Sequence, residues 1–272
     1  MSRNELTERL EFAVQIAQEA GRETLSWFRR SSLEVERKGD DSPVTAADRA
    51  AEQLLRRQIQ ATFADDSILG EEFGEIEGSS GYRWVLDPID GTKSFITGVP
   101  LYTTLVAVMR DEAPVLGVIY APATGEIAYA MSGEQAWYRE AQGSLPQAAK
   151  VAEIDSLAQA TFLTSEVRSF DKERTPGARP VYDQLEAACR LTRSWGDGYG
   201  YLLVATGRAH LMIDPRMSLW DAAALQPIIE GAGGMFCDWQ GRATPNSGEA
   251  IACSPGLTEQ VLAVTRSAAE RD

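Results

Sequence analysis

The chain has 272 residues, 44 % of them apolar and 24 % charged, a balance that supports a large buried core and speaks against intrinsic disorder. A net charge of −14 is the opposite of a nucleic-acid footprint, and no apolar run reaches the roughly 18 residues of a membrane span, so neither nucleic acid nor a membrane is expected as a partner. The N-terminus lacks the apolar core of a signal peptide, which predicts a cytoplasmic protein, and Cys189, Cys237 and Cys253, with no CxxC pair, predict reduced thiols.

In chain order, the first predicted element is an amphipathic helix over residues 5–29, where Leu6, Leu10, Ala13, Ile16, Ala17, Ala20, Leu25 and Phe28 recur near the helical period. A second helix over 46–63 follows Pro43 and carries Ala50, Leu54, Leu55 and Ile59 on one face. Ser67-Ile68-Leu69-Gly70 reads as a short strand ending at Glu71-Glu72. From Tyr82 to Tyr138, β-branched and aromatic runs alternate with turn-forming Asp111-Glu112-Ala113-Pro114 and Pro122-Ala123-Thr124-Gly125, which predicts an antiparallel meander. Residues 141–158 read as a polar connection. Beyond it, strands at 161–163 and 209–213 alternate with helices at 180–189, 198–206 and 219–230. The fold class is therefore α+β, a layered α/β sandwich with a mainly antiparallel N-terminal half and an α/β C-terminal half.

Chemistry has few vehicles in this composition. The single histidine, His210, sits between a helix end and the apolar run Leu211-Met212-Ile213 and reads as structural, which leaves carboxylates and hard cations. Trp84-Val85-Leu86 predicts a buried strand that stops at Asp87-Pro88, because proline cannot continue a central ladder. Asp90 follows, and Gly91-Thr92-Lys93-Ser94 offers backbone N–H groups suited to an anion. Neighbouring aspartates repel unless a cation or a proton intervenes, and oxygen ligands select Mg2+ or Mn2+ over zinc. Alone, the string Asp87 to Gly91 reads more simply as Asx turns in a Pro-Gly loop. Glu71 at the end of one apolar run, and Asp221 and Asp48 at the heads of helices, each have a bland explanation singly; their joint occurrence does not.

In this order, Pro43-Val44-Thr45-Ala46-Ala47-Asp48, Gly70-Glu71-Glu72, Asp87-Pro88-Ile89-Asp90-Gly91-Thr92 and Trp220-Asp221-Ala222-Ala223-Ala224, followed by Ala232-Gly233-Gly234, resemble the motifs of the inositol monophosphatase family of metal-dependent phosphatases. The resemblance spans nearly the whole chain. It implies that family's sugar-phosphatase sandwich as one catalytic domain over 1–265, with subdomains of about 1–140 and 150–265. It implies a phosphoric monoester hydrolase with about two or three Mg2+ ions per site, Mn2+ being the alternative. Glu71, Asp87 and the Ile89 carbonyl would hold one ion, Asp87, Asp90 and Asp221 a second, and Glu71 would reach a third. Thr92 and Asp48 would orient and deprotonate the water for in-line attack, with the amides of Gly91 and Thr92 cradling the phosphate. Lys38 is similar to a loop lysine near the active site, although a solvated loop charge describes it as well. Relatives are commonly homodimers, so a homodimer is implied.

Metal motifs do not choose the ester. The segment Arg193-Ser194-Trp195-Gly196-Asp197-Gly198-Tyr199-Gly200-Tyr201, with Asp87 to Pro100, looks like the branch that hydrolyses histidinol phosphate in histidine biosynthesis. That substrate carries an ammonium and an imidazole, which call for a carboxylate and an aromatic neighbour, types that Asp197, Trp195 and Tyr199 supply beside Arg193. Equally, Trp195 and Tyr199 are core anchors and Asp197 is the N-cap of the helix through Val204. The alternatives are an inositol-1-monophosphatase or a related enzyme such as a 3′-phosphoadenosine 5′-phosphate phosphatase. A cation-binding protein without turnover would have no need of Thr92 and Asp48.

Overall fold

The computed structural model describes residues 3–30, 34–37, 39, 43–172 and 178–269. Helix α1 (Arg3–Leu25) buries Leu6, Ala13, Ile16, Ala17 and Ala20 along one stripe. It stops short of residue 29, where Phe28 instead packs on Phe95 and Tyr102 with ring centroids 5.6 and 5.2 Å away. Strand β1 (Val35–Arg37) pairs antiparallel with β2 (Pro43–Thr45), which leads into α2 (Ala46–Thr62). Next come β3 (Ser67–Gly70), β4 (Gly74–Ile76), β5 (Tyr82–Asp90) and α3 (Thr92–Ile96), then the meander β6 (Thr103–Arg110), β7 (Ala113–Ala121), β8 (Glu126–Met131), β9 (Trp137–Arg139) and β10 (Gln147–Ala148). The first large sheet has the order β10-β9-β8-β7-β6-β5-β3-β4 and is antiparallel except between β3 and β5.

The C-terminal half runs β11 (Thr161–Leu163), α4 (Ser169–Lys172), α5 (Ala178–Ala188), β12 (Leu191–Arg193), α6 (Gly198–Ala205), β13 (Leu211–Asp214), α7 (Leu219–Ala222), α8 (Leu225–Gly231), β14 (Met235–Cys237), β15 (Ala250–Cys253) and α9 (Thr258–Ala269). Its sheet has the order β12-β11-β13-β15-β14, parallel over the first three strands and antiparallel beyond.

Side-chain alternation sorts these elements into layers. Trp84 and Leu86 of β5, with Val106 and Val108 of β6, face Ile16 and Leu55 of α1 and α2. Val85, Leu105 and Ala107 point the other way, onto Leu202 of α6 and Ile228 of α8, and the same cluster takes in Met212, Phe236 and Ala252 of the second sheet. Leu211, Ile213 and Ile251 face outward again, onto Leu185 of α5 and Val261 of α9. The product is a layered α/β sandwich in which helices and sheets alternate.

Further elements differ from expectation, and the stretch 141–158, expected as a polar connection, carries β10 and buries Ala149, Val151 and Leu157. Strand β5 does not stop at Asp87-Pro88 but reaches Asp90, with its register to β6 slipping between Asp87, opposite Leu105, and Asp90, opposite Thr103. Pro88 falls in this bulge, where no ladder N–H is needed, and its carbonyl accepts from Thr104 Oγ1 at 2.9 Å. The helix expected over 219–230 is two, α7 and α8, since Pro227 has no N–H for the Ala223 carbonyl. His210 is structural, its Nδ1 accepting the Thr161 N–H at 2.9 Å. All three cysteines are free thiols. Among the described residues no helix is long and apolar enough to cross a membrane.

Candidate active site and metal centre

In a regular strand, residues three apart point to opposite faces; the extra residue of the β5 bulge returns Asp87 and Asp90 to one side. Asp221 arrives from the first turn of α7, its Oδ2 held by the Ser218 N–H at 2.7 Å. The three side chains offer oxygens within 4.8 Å of one another. Burial pushes the Asp87 and Asp90 carboxyls well above the usual carboxylate range, with Glu71 the leading charge on Asp87 and Asp197 on Asp90. Burial also pushes Asp221 up to about 7, against the Ser218 hydrogen bond. Glu71 follows β3, anchored by its N–H on the Leu86 carbonyl at 3.2 Å, and its charge acts on Asp87, Asp221 and Asp48.

Asp48 is 1 % exposed and closes a capping box at the start of α2. Its Oδ2 accepts from the Thr45 N–H at 2.8 Å and from Thr45 Oγ1 at 2.5 Å, while Oδ1 lies 3.4 Å from Thr92 Oγ1. Thr92 Oγ1 is also 3.1 Å from the Ile89 carbonyl. Burial pushes Asp48 up to about 6 against the two Thr45 bonds, and Glu72 and Glu71 add to the rise.

Gly91 caps α3 at φ 89°, a left-handed conformation that favours glycine. A Cβ there would lie 2.9 Å from Asp197 Oδ2, so the Asp197 carboxylate packs directly over Gly91. Asp197 stands at the N-cap position of α6 but its side chain makes no capping bond. Burial, then the charge of Asp214, push it up to about 6. The neighbouring Gly198 N–H and Thr103 Oγ1, the latter at 2.7 Å, both donate to Asp90 Oδ2.

The fold thus gathers Asp48, Glu71, Asp87, Ile89, Asp90, Gly91, Thr92, Asp197 and Asp221. It places Tyr199 in the core, with its hydroxyl donating to Glu126 Oε2 at 2.8 Å. Trp195 is 41 % exposed, and Arg193 is exposed with Nη1 donating to the Thr192 carbonyl at 2.7 Å. Lys38 lies outside the described residues.

The sequence profile of the inositol monophosphatase family matches residues 5–270. The chain belongs to this family. It is 43 % identical over 267 residues to a histidinol-phosphatase of Chlorobaculum parvum, covering 98 % of this chain and 100 % of the relative. A histidinol-phosphatase of Streptomyces coelicolor is 36 % identical over 257 residues, covering 93 % and 95 %. Among solved structures, an inositol monophosphatase from Zymomonas mobilis superposes with a TM-score of 0.82 at 33 % identity, over 98 % of this chain and 100 % of its own.

Inositol monophosphatases are metal-dependent, and the donors of this chain fit such a cation. Asp87, Asp90 and Asp221 supply hard oxygens in one place, and their raised carboxyls mark negative charge that a divalent ion relieves.

Glu52 and Arg56 lie behind the site without belonging to any of the sequence motifs. Glu52 is fully buried, with Oε2 accepting the Glu72 N–H at 2.8 Å and Oε1 accepting the Phe73 N–H at 3.2 Å and Arg56 Nε at 2.7 Å. Arg56 also donates to the Gly74 carbonyl. A Cβ on Gly70 would sit 2.1 Å from Glu52 Oε1, so the glycine of Gly70-Glu71-Glu72 makes room for the carboxylate that fixes this turn. The available signal was a Glu and Arg at i,i+4 beside the apolar stripe of Ala51, Leu55 and Ile59.

Proposed function

We propose that this chain is a cytoplasmic histidinol-phosphatase, hydrolysing histidinol phosphate to histidinol and phosphate in histidine biosynthesis. One observation carries the choice of ester: the Asp197 carboxylate over Gly91 gives the site an anionic partner for an ammonium or imidazolium, which a substrate bearing only hydroxyls does not require. Identity to histidinol-phosphatases supports the same reading.

Asp87, Asp90, Asp221, Glu71 and the Ile89 carbonyl would hold Mg2+, about two or three ions, with Mn2+ as a substitute. When bound, such cations supply Lewis acidity toward the phosphoryl oxygens and the leaving oxygen. The proton is the business of Thr92 and Asp48. With Oδ2 saturated by Thr45, Asp48 accepts the Thr92 proton on Oδ1, and the Thr92 oxygen then takes one from the attacking water. A carboxyl near 6 is matched to this exchange at neutral pH. Glu71 assists from the end of β3, and the amides of Gly91 and Thr92 receive phosphoryl oxygens. The departing histidinol oxygen takes a proton from solvent, and inorganic phosphate is released. Asp197 binds the amine and Tyr199 supports the segment from the core, while Trp195 and Arg193 of the same segment are exposed. Resemblance to the family makes a homodimer the expected assembly, which sedimentation equilibrium tests: a dimer mass supports it and a monomer mass contradicts it.

Phosphate release under Mg2+ from histidinol phosphate, inositol 1-phosphate and 3′-phosphoadenosine 5′-phosphate tests the reading. The expected result is the highest kcat/KM for histidinol phosphate and loss of turnover with a chelator. Equal or better turnover of inositol 1-phosphate overturns it.

A further inference from the structure

Asp197 has φ 48° and ψ −151°, a backbone conformation that glycine tolerates and other residues adopt at a cost. Its N–H donates to Ser165 Oγ at 3.1 Å. Ser165 is held in turn by Asp214, whose Oδ2 accepts the Ser165 hydroxyl at 2.9 Å and whose Oδ1 accepts the Ser165 N–H at 2.8 Å. A hydroxyl has one proton. Given to Asp214, it leaves the Ser165 oxygen as the acceptor for the Asp197 amide.

Asp214 is 3 % exposed at the end of β13 and also accepts from Thr164 Oγ1 and the Tyr201 hydroxyl, each at 3.1 Å. Both its oxygens are therefore engaged by donors, and the acid-rich centre described above makes no use of it. The bend before α6 is pressed onto the same residue, since a Cβ on Gly196 would sit 2.1 Å from Ser165 Cα. A saturated, buried carboxylate orients one hydroxyl, and that hydroxyl holds one strained amide whose side chain packs over Gly91.

We propose that Ser165, oriented by Asp214, is a positioning residue that aims Asp197 and so sets the preference of the site for phosphate esters of cationic amino alcohols over those of neutral polyols. This rests on the reading that Asp197 meets the substrate. Strain explains why the device is needed: released from Ser165, residue 197 relaxes toward ordinary φ and its carboxylate leaves the position over Gly91. The cost in stability is accepted for a placement that a relaxed aspartate does not reach.

The test is the ratio of kcat/KM for histidinol phosphate to that for glycerol 2-phosphate under Mg2+, with Tm, in wild type, Ser165→Ala, Asp197→Gly and the double variant. Ser165→Ala is expected to lower the ratio about tenfold, through KM for histidinol phosphate. Asp197→Gly lowers it at least as far while raising Tm, because the strain is gone. Ser165→Ala then changes the ratio no further in the Asp197→Gly background, the non-additivity of two residues acting as one unit. Asp214→Asn, which keeps the volume but replaces an acceptor by a donor and removes a charge that acts on Asp197, lowers the same ratio with Asp197 present and not in the Asp197→Gly background, and serves where Ser165→Ala does not fold. A high wild-type ratio left unchanged by Ser165→Ala and Asp214→Asn, or additive losses in the double variant, overturns this proposal alone. A wild-type ratio near one overturns the substrate reading and this proposal with it.

Discussion

Asp90 is where burial and charge conflict most openly. It is 7 % exposed, its carboxyl is pushed well up, and its Oδ2 is occupied by Thr103 and Gly198. Asparagine keeps the shape and an acceptor oxygen but removes a charge that repels its neighbours. Asp90→Asn is therefore expected to melt no lower than wild type without metal, and to lack the rise in Tm expected of wild type with Mg2+, a stabilisation of about 2.7 kcal/mol at a hundredfold excess over Kd. Phosphate release should fall at least about 10²-fold, the loss that follows removal of one preorganised electrostatic group. Thermal melts with and without MgCl2, and a turnover assay, measure both; a variant that keeps the Mg2+ shift and the turnover removes Asp90 from the centre. The convergence of Asp87 and Asp90 with Asp221 was legible only in combination, since the string from Asp87 to Gly91 reads alone as Asx turns and it is the joint occurrence of distant acids that singles it out. The place of Asp197 over Gly91 was not, since a φ of 48° and a side chain that declines to cap are properties of the folded backbone.

At the scale of elements, the turn after β3 depends on α2. The Glu52 carboxylate takes two N–H groups of that turn, which carries Glu71, so Glu52→Gln should weaken Mg2+ binding by about 10- to 100-fold, as loss of partners behind metal ligands does. It should also cost about 1–3 kcal/mol through a strained buried network. Calorimetric titration reads the first effect and denaturant unfolding the second; unchanged Mg2+ affinity would leave Glu52 a stability residue only.

Strand β8 and helix α6 are joined by a different carboxylate. Glu126 accepts the Tyr138 hydroxyl at 2.5 Å and that of Tyr199 at 2.8 Å, and pairs with Arg208 at 2.6 Å. Burial alone would raise its pKa, but these partners outweigh burial and hold it below the ordinary 4.5. A folded value below the unfolded one adds stability that is complete above the unfolded value and is lost as pH falls through the folded value. Wild type should therefore lose more Tm than Glu126→Gln as pH drops below 4.5, and parallel Tm curves for the two would contradict this. The same contacts explain why Tyr199 was ambiguous in sequence: an aromatic residue beside Asp197 suits a substrate or a core, and only the partner Glu126, 73 positions away in the chain, distinguishes them.

At the scale of the whole molecule, the succession of strand-like runs and amphipathic helices announced layers, while the facing of Trp84 and Val85 onto different neighbours emerged only with the fold. Strand order was not announced. The parallel pairing of β3 with β5, and the β14 and β15 strands that complete the second sheet, join segments through long-range contacts that no local pattern encodes. Those pairings nonetheless build the site, bringing Glu71 from the end of β3 beside Asp87 on β5 and setting Asp221 and Asp197 against them from the C-terminal half. The decisive measurement is a crystal structure of Asp48→Asn with Mg2+ and histidinol phosphate. The expected complex has the phosphoryl group at Asp87, Asp90 and Asp221 and the ammonium or imidazole within hydrogen-bonding distance of Asp197. A phosphoryl group bound elsewhere, or a cationic end turned away from Asp197, would contradict it.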